Sequence, residues 1–312
     1  VDTIPRIQTV NEIPRFASGS NYDYASVVGL AHFEDAMSKD LFQVKFWGVR
    51  GSIPVSGPEF DRYGGNTSCI EIRCGEHRMI FDAGSGVREA GLAMLNDEIR
   101  DVDLFFSHCH YDHIIGLPFF KAIYYPSIDL RIWSGHLDGK MSTREMIEQF
   151  ISPPWFPVKT DICQATMSFR DFHAGQTLEP HPGIKIKTFM LNHPGGAIGY
   201  RVEWQGRSVA LIYDIEHIPG TYDPAVLEMM KGVDLAVYDC TYNEDEMQRF
   251  KGFGHSTWQH GVELARMAGT KQFALFHHAP SRTDVQLEAM EKDAQAVFPK
   301  SFAARDNQVI KL

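Results

Sequence analysis

Paired thiols are missing from this sequence. Its 312 residues include five cysteines, Cys69, Cys74, Cys109, Cys163 and Cys240, an odd number without CxxC spacing. That excludes a disulfide framework or a thiolate zinc site as the organising feature and fits a reducing cytoplasm. Long apolar runs are absent as well. No stretch approaches the roughly 18 residues of a membrane span, and the first residues do not place a basic segment before an apolar one, so a soluble protein without a membrane partner is expected. Positive charge is in deficit: 30 Lys and Arg stand against 40 Asp and Glu, a net −10 with histidine neutral, and no basic run offsets it. Phosphate neutralisation along a long nucleic acid is therefore disfavoured. What remains is an ordinary globular composition, 44% hydrophobic and 22% charged, with ample length for a core and for one or two domains. Histidine stands out: there are 14, several in short clusters.

Residues 1–40 mix polar, Gly, Pro and aromatic residues without periodicity and read as an N-terminal extension; residues 41–312 carry the main pattern. Short β-rich runs at 43–47, 69–73 and 78–82 suggest an antiparallel opening, followed by helical spacing over 86–96 and an apolar strand at 102–107. Further strands are expected at 184–191, 199–204, 208–213, 233–239 and 272–277. Helices are expected at 142–151, 257–268 and 284–298, the second capped by Ser256. Residues 117–181 fit the alternation poorly and contain Ser152-Pro153-Pro154-Trp155-Phe156-Pro157. They read as an insertion between core elements, whose aromatic loop either walls a site as a lid or seals the core.

Ser107-His108-Cys109-His110-Tyr111-Asp112-His113 follows an apolar strand and offers four potential metal ligands. Neutral imidazoles and carboxylates both suit zinc or a similar divalent ion. His108 and His110, two apart, face one side while the chain is extended, and a turn after His110 swings Asp112 and His113 toward a second position. Isolated candidates stand at the ends of later strands: His193, Asp214 and the pair His277-His278. Each alone also fits a turn, a cap or a core hydrogen bond. Together they make a set of the size that two ions about 3.5–4 Å apart require.

These residues carry a resemblance. His108, His110, Asp112 and His113 match the H-x-H-x-D-H signature of the metallo-β-lactamase superfamily, and His193, Asp214 and His277 follow in that family's order. Phe46-Trp47-Gly48-Val49-Arg50-Gly51-Ser52-Ile53-Pro54 and Gly254-His255-Ser256-Thr257 look like its RNase Z and cyclic phosphodiesterase branch. The resemblance implies an α/β fold, a four-layer αβ/βα sandwich with two mixed β-sheets. It implies that His108, His110 and His193 hold one ion, that Asp112, His113 and His277 hold another, and that Asp214 bridges them. A one-residue shift would substitute His278 for His277. Cys109, between two same-facing ligands, should point away and pack.

Two divalent ions sharing a water make hydroxide available near neutral pH, so the expected activity is hydrolysis, with Asp112 among the catalytic residues. Zinc is the first expectation for the cofactors; nitrogen and oxygen donors also admit manganese or iron. A phosphodiester needs a proton for its departing oxygen, and the resemblance assigns that to His255, oriented by Asp239. A cap role for His255 competes with this. The substrate expected is a small or cyclic anionic phosphodiester. A thioester or lactone hydrolase is the alternative on the same site, and a tRNA 3′-processing nuclease is less favoured, because that group uses a basic protruding arm not evident here. Relatives are often dimers, and residues 1–40 are available to a homodimer interface. Arg50 either meets substrate phosphate or braces the sheet through an internal carboxylate; the Asp82-Ala83-Gly84-Ser85-Gly86 loop could cradle a phosphate, but the resemblance makes it a support under the metal site.

Overall fold

The computed structural model describes residues 40–312. The extension expected over residues 1–40 lies outside the described residues apart from Asp40. Strand β1 (Phe42–Gly48) alternates so that Phe42, Val44 and Phe46 enter the central core, while Trp47 joins an outer cluster. It pairs antiparallel with β2 (Cys69–Cys74), and β2 pairs antiparallel with β3 (His77–Phe81). A crossover through α1 (Val87–Asn96) leads to β4 (Asp101–Phe106), parallel to β3. The helix buries Val87, Ala90, Gly91 and Met94, the i, i+3, i+4, i+7 face. Gly91 on this face allows close approach: a Cβ there would lie 2.7 Å from the Phe120 ring.

After the one-turn α2 (Tyr111–Ile114) the chain adds β5 (Asp129–Ser134), α3 (Thr143–Phe150) and β6 (Thr166–Asp171). β5 and β6 continue the first sheet in parallel register, Val102 opposite Leu130 and Leu130 opposite Met167. Residues 117–181 are therefore largely frame and not an insertion between core elements. The misreading has a physical source: β6 is an edge strand with no fully buried residue, so it lacks an apolar stripe. In the Pro-rich loop, Trp155 is 77% exposed, whereas Phe156 packs on the outer cluster against Phe119.

The second sheet contains β7 (Thr177–Leu178), β8 (Lys185–Leu191), β9 (Ala197–Trp204), β10 (Arg207–Ile212), β11 (Leu235–Asp239), β12 (Phe273–Phe276) and β13 (Ser301–Ala303). Its order is β13-β12-β11-β10-β9-β8-β7, beside β14-β1-β2-β3-β4-β5-β6 in the first, where β14 is Val309–Lys311. Each sheet mixes antiparallel and parallel neighbours. Crossover helices α4 (Pro224–Met230), α6 (Trp258–Ala268) and α7 (Asp284–Val297) cover the outer face of the second sheet, where Val226, Val262 and Leu287 join its cluster, and the one-turn α5 (Glu244–Met247) precedes α6. A central core unites the inner faces, for instance Phe46 and Phe81 with Tyr200 and Phe276. The outcome is the four-layer sandwich expected. No described helix is long and apolar enough to cross a membrane.

Helix α6 is capped by Thr257, whose side chain accepts from His260 N, and not by Ser256. Ser256 is fully buried and turns instead to Tyr238 and His217. Arg50 braces the frame. Its buried guanidinium donates to the carbonyls of Gly64 at 2.8 Å, Arg282 at 2.6 Å and Ala279 at 3.3 Å, and lies 3.9 Å from Asp284. Replacing it by Met would strand those carbonyls and the carboxylate. Arg50→Met is expected to lower unfolding stability in urea by about 3–5 kcal/mol.

Candidate metal centre

The C-terminal ends of β3, β4, β10, β11 and β12 meet on one face of the sandwich, and the chain turns sharply as it leaves three of them. Asp82, Asp214 and His277 have φ of 61°, 60° and 59°, a left-handed conformation costly for residues with a Cβ and concentrated where function demands it. The turn aims each side chain back across the strand ends. Gly51 makes room: a Cβ at that position would lie 2.2 Å from the His277 ring.

The expected ligands converge. His108 Nε2 and His193 Nε2 each lie 3.0 Å from His110 Nδ1. His277 Nε2 is 3.1 Å and His113 Nε2 is 3.3 Å from Asp112 Oδ2. Asp214 stands between the two groups: Oδ1 lies 3.1 Å from His113 Nε2 and 3.2 Å from His277 Nε2, and Oδ2 lies 3.6 Å from His108 Nε2 and 3.8 Å from His193 Nε2. His278 is elsewhere, its Nε2 donating to the Ala304 carbonyl at 2.9 Å. Cys109 packs against the outer cluster, as expected of the residue between two same-facing ligands.

Hydrogen bonds on the far side of the rings decide which nitrogens carry protons. His193 Nδ1 donates to the Gly254 carbonyl at 2.8 Å, and His113 Nδ1 donates to Asp82 Oδ2 at 2.7 Å. Thr241 Oγ1 donates to Asp239 Oδ1 at 2.7 Å and so accepts from His277 Nδ1 at 3.0 Å. Each of these rings therefore turns an Nε2 lone pair inward, the tautomer a metal ligand needs. Lone pairs meeting carboxylate oxygens repel unless a cation lies between them. His113 Nε2 and Asp214 Oδ1 are buried without a hydrogen-bond partner, as ligand atoms would be. Burial also holds the pKa of His108, His110 and His193 below the ordinary value, favouring the neutral ligand form. For His113 burial acts the same way, but Asp214, Asp112 and Asp82 outweigh it and drive the pKa up. A cation would replace that proton as the partner of the carboxylates. The cluster fits a metal site.

The sequence reading did not assign Ser107, Thr241 or the Gly254 carbonyl as supports of the ligand rings. Asp82 accepts from Ser107 N and Ser107 Oγ, both at 2.7 Å, as well as from His113, so its loop supports His113 from beneath, the role the resemblance implies for it. Glu216 was also missed. Its carboxylate accepts from Gly252 N and Gly254 N, both at 2.8 Å, fixing the segment whose carbonyl holds His193 and whose next residue is His255. Nothing in the local sequence marks Glu216 or Thr241.

His255 Nδ1 lies 3.0 Å from Asp239 Oδ2 and 4.0 Å from Asp214 Oδ2, with its ring stacked on His277 at 4.8 Å. Asp239, His255 and His277 also form a close group of potential ligands. The carboxylate of Asp239 is already occupied, accepting from Ile215 N, Thr241 N, Thr241 Oγ1 and His255. Its role is that of a hydrogen-bond acceptor.

Two measurements probe this geometry. Gly51→Ala should displace His277 and lower metal content per chain, read by elemental analysis, while leaving the far-ultraviolet circular dichroism spectrum unchanged. Chelator treatment should lower the thermal midpoint, and restoring metal at about 100 times its dissociation constant should recover roughly 2.7 kcal/mol. An unchanged midpoint would contradict a site that holds metal only in the folded state.

A model of the beta-lactamase superfamily domain matches residues 77–278. Ribonuclease Z of Porphyromonas gingivalis is 24% identical over 322 residues, covering 87% of this chain and 99% of that protein. Among solved structures, the metallo-β-lactamase fold protein YhfI from Bacillus subtilis superposes with a TM-score of 0.66 at 19% identity, covering 88% of this chain and 100% of that one. A diphosphatase of the PhnP family superposes at 0.64, also 19% identical, over 87% and 97%. Both share the fold. The family match runs from β3 through His278 and takes in every residue of the histidine and aspartate cluster, so the chain belongs to the metallo-β-lactamase superfamily and is a metal-dependent hydrolase.

Proposed function

We propose that the protein is a phosphodiesterase with two divalent metal ions, zinc by donor type, and the observation that carries this reading is the Asp239–His255 pair beside the cluster. His108, His110 and His193 would hold one ion, Asp112, His113 and His277 the other, with Asp214 shared between them. When bound, the metals supply a water of lowered pKa for attack and positive charge against the ester's oxygens.

The chain's own residues supply the rest. Burial opposes charge on His255, but Asp239 and, less strongly, Asp214 and Asp112 outweigh it and raise the pKa to about 9. Asp214 and Asp112 are the carboxylates a metal would engage, so Asp239 is the partner whose influence persists in the loaded protein. Asp239 is kept ionised chiefly by His255, against the cost of its burial. It fixes His255 through Nδ1 and leaves Nε2–H to protonate the departing oxygen. A thioester needs no such acid, because its thiolate departs unaided. This favours the diester.

The expectation that long nucleic acid is disfavoured needs revision: relatives named ribonuclease Z, matched over nearly their full length, favour an RNA phosphodiester as a second reading beside the small or cyclic one. The net charge of −10 still opposes tight hold on a long polyanion.

The decisive variant is His255→Ala. Metal content should be retained, hydrolysis of diesters with poor leaving groups should fall about 10²–10⁴-fold, and p-nitrophenyl esters should be much less affected. Equal losses for both would remove the acid role, and activity confined to thioesters or lactones would remove the phosphodiesterase reading.

A further inference from the structure

Across residues 252–256 from the metal cluster lies a cavity of about 970 Å³ that the hydrolytic step does not use. Gly254 faces His193 on one side of this segment and Glu216 on the other. The cavity wall is a pile of rings. His217 and His260 stack with centroids 3.9 Å apart and planes within 9°, and Tyr222 continues the pile on His260 at 5.3 Å and 14°. His217 is pinned through Nδ1 to Ser256 Oγ at 2.7 Å. Tyr222, at the other end, is 43% exposed, so the pile ends in an open aromatic face. The same three rings border a second recess of about 380 Å³ that reaches Val226, Tyr238 and Leu264.

Two further features select a ligand. Neutral polar side chains line the larger cavity, Asn192, Gln248 and Gln259 among them, and their amides can pair with the N–H groups of a ligand. The lining also carries Glu216, Glu244, Asp245 and Glu263 against a single lysine, Lys251. This charge rejects a phosphate and accepts a ring bearing N–H groups.

We propose that this cavity is a subsite for a planar nitrogen heterocycle with N–H donors, of the nucleobase type, carried by the ester whose phosphate is cleaved at the neighbouring cluster. Stacking supplies affinity without demanding one ring, and the acidic lining sets orientation, ring in the cavity and phosphate at the metals. The link to catalysis rests on the phosphodiesterase reading; ring binding does not.

The test titrates metal-loaded, full-length protein with adenosine and with uridine, neither of which has a phosphate, following the imidazole proton resonances of His217 and His260. Saturable ring-current shifts are expected. Tyr222→Ala should weaken binding about 5- to 100-fold, Tyr222→Phe should restore it, and purine riboside, which lacks the exocyclic amino group, should bind less tightly than adenosine. Hydrolysis of glycerophosphoglycerol, a diester without rings, is measured in parallel and should be unchanged in Tyr222→Ala. Absence of saturable binding by both nucleosides, or binding indifferent to Tyr222→Ala, overturns the subsite whatever the diester does. Nucleoside binding that weakens in Tyr222→Ala, with no diester hydrolysed, sustains the ring site and overturns the phosphodiesterase reading alone.

Discussion

The two carboxylate oxygens of Asp214 face in different directions, and the active face is built around that division. One oxygen meets His113 and His277, the other His108 and His193. A buried carboxylate shared in this way is strongly unfavourable unless positive charge reaches it. In the metal-free chain burial works against its charge, but the neighbouring imidazoles, that of His113 above all, outweigh burial and hold the Asp214 pKa far below the carboxylate range. The left-handed backbone at Asp214 is the steric cost of placing those oxygens there, and the strand ends packed around it enforce the conformation.

The surrounding frame converts this electrostatic demand into precise geometry. Asp82, Thr241 and the Gly254 carbonyl each take the proton of an imidazole from behind, so the inward nitrogens present lone pairs. Thr241 and His255 share Asp239, which couples the ring orientation of His277 to the position of the proposed acid. Glu216 adds a further tie through the amides of Gly252 and Gly254. A disturbance at Thr241, Gly254 or Glu216 reaches both the ligand set and the acid, because these supports share Asp239 or a single loop with His255.

The same loop explains why recognition and chemistry lie side by side. His255 faces the cluster, while its neighbour Ser256 holds His217 at the base of the aromatic pile. The two faces of one short segment would therefore address different parts of the proposed ligand, one charged and one flat. The acidic surplus of the chain, which counts the carboxylates around the cluster as bare negatives, says little about the charge at the site once divalent cations are held there.

The histidine cluster His108 to His113 was legible from sequence because its ligands are local: strand alternation and one helical turn place them without help from distant residues. The apolar strands and amphipathic helices were legible for the same reason, each carrying its periodicity within a dozen residues. The edge strand β6 was not, since a strand half-exposed on both faces has no periodic signature. The choice of His277 over His278 was beyond the sequence: both follow an apolar strand, and only the left-handed turn, with space left by Gly51, sends one ring to Asp112 and the other to Ala304. Glu216, Thr241 and the ring pile of Tyr222, His260 and His217 were invisible for a related reason. Their significance lies in partners tens of residues away, and such pairings exist only once the parallel strands of the second sheet have come together and brought their ends to one face.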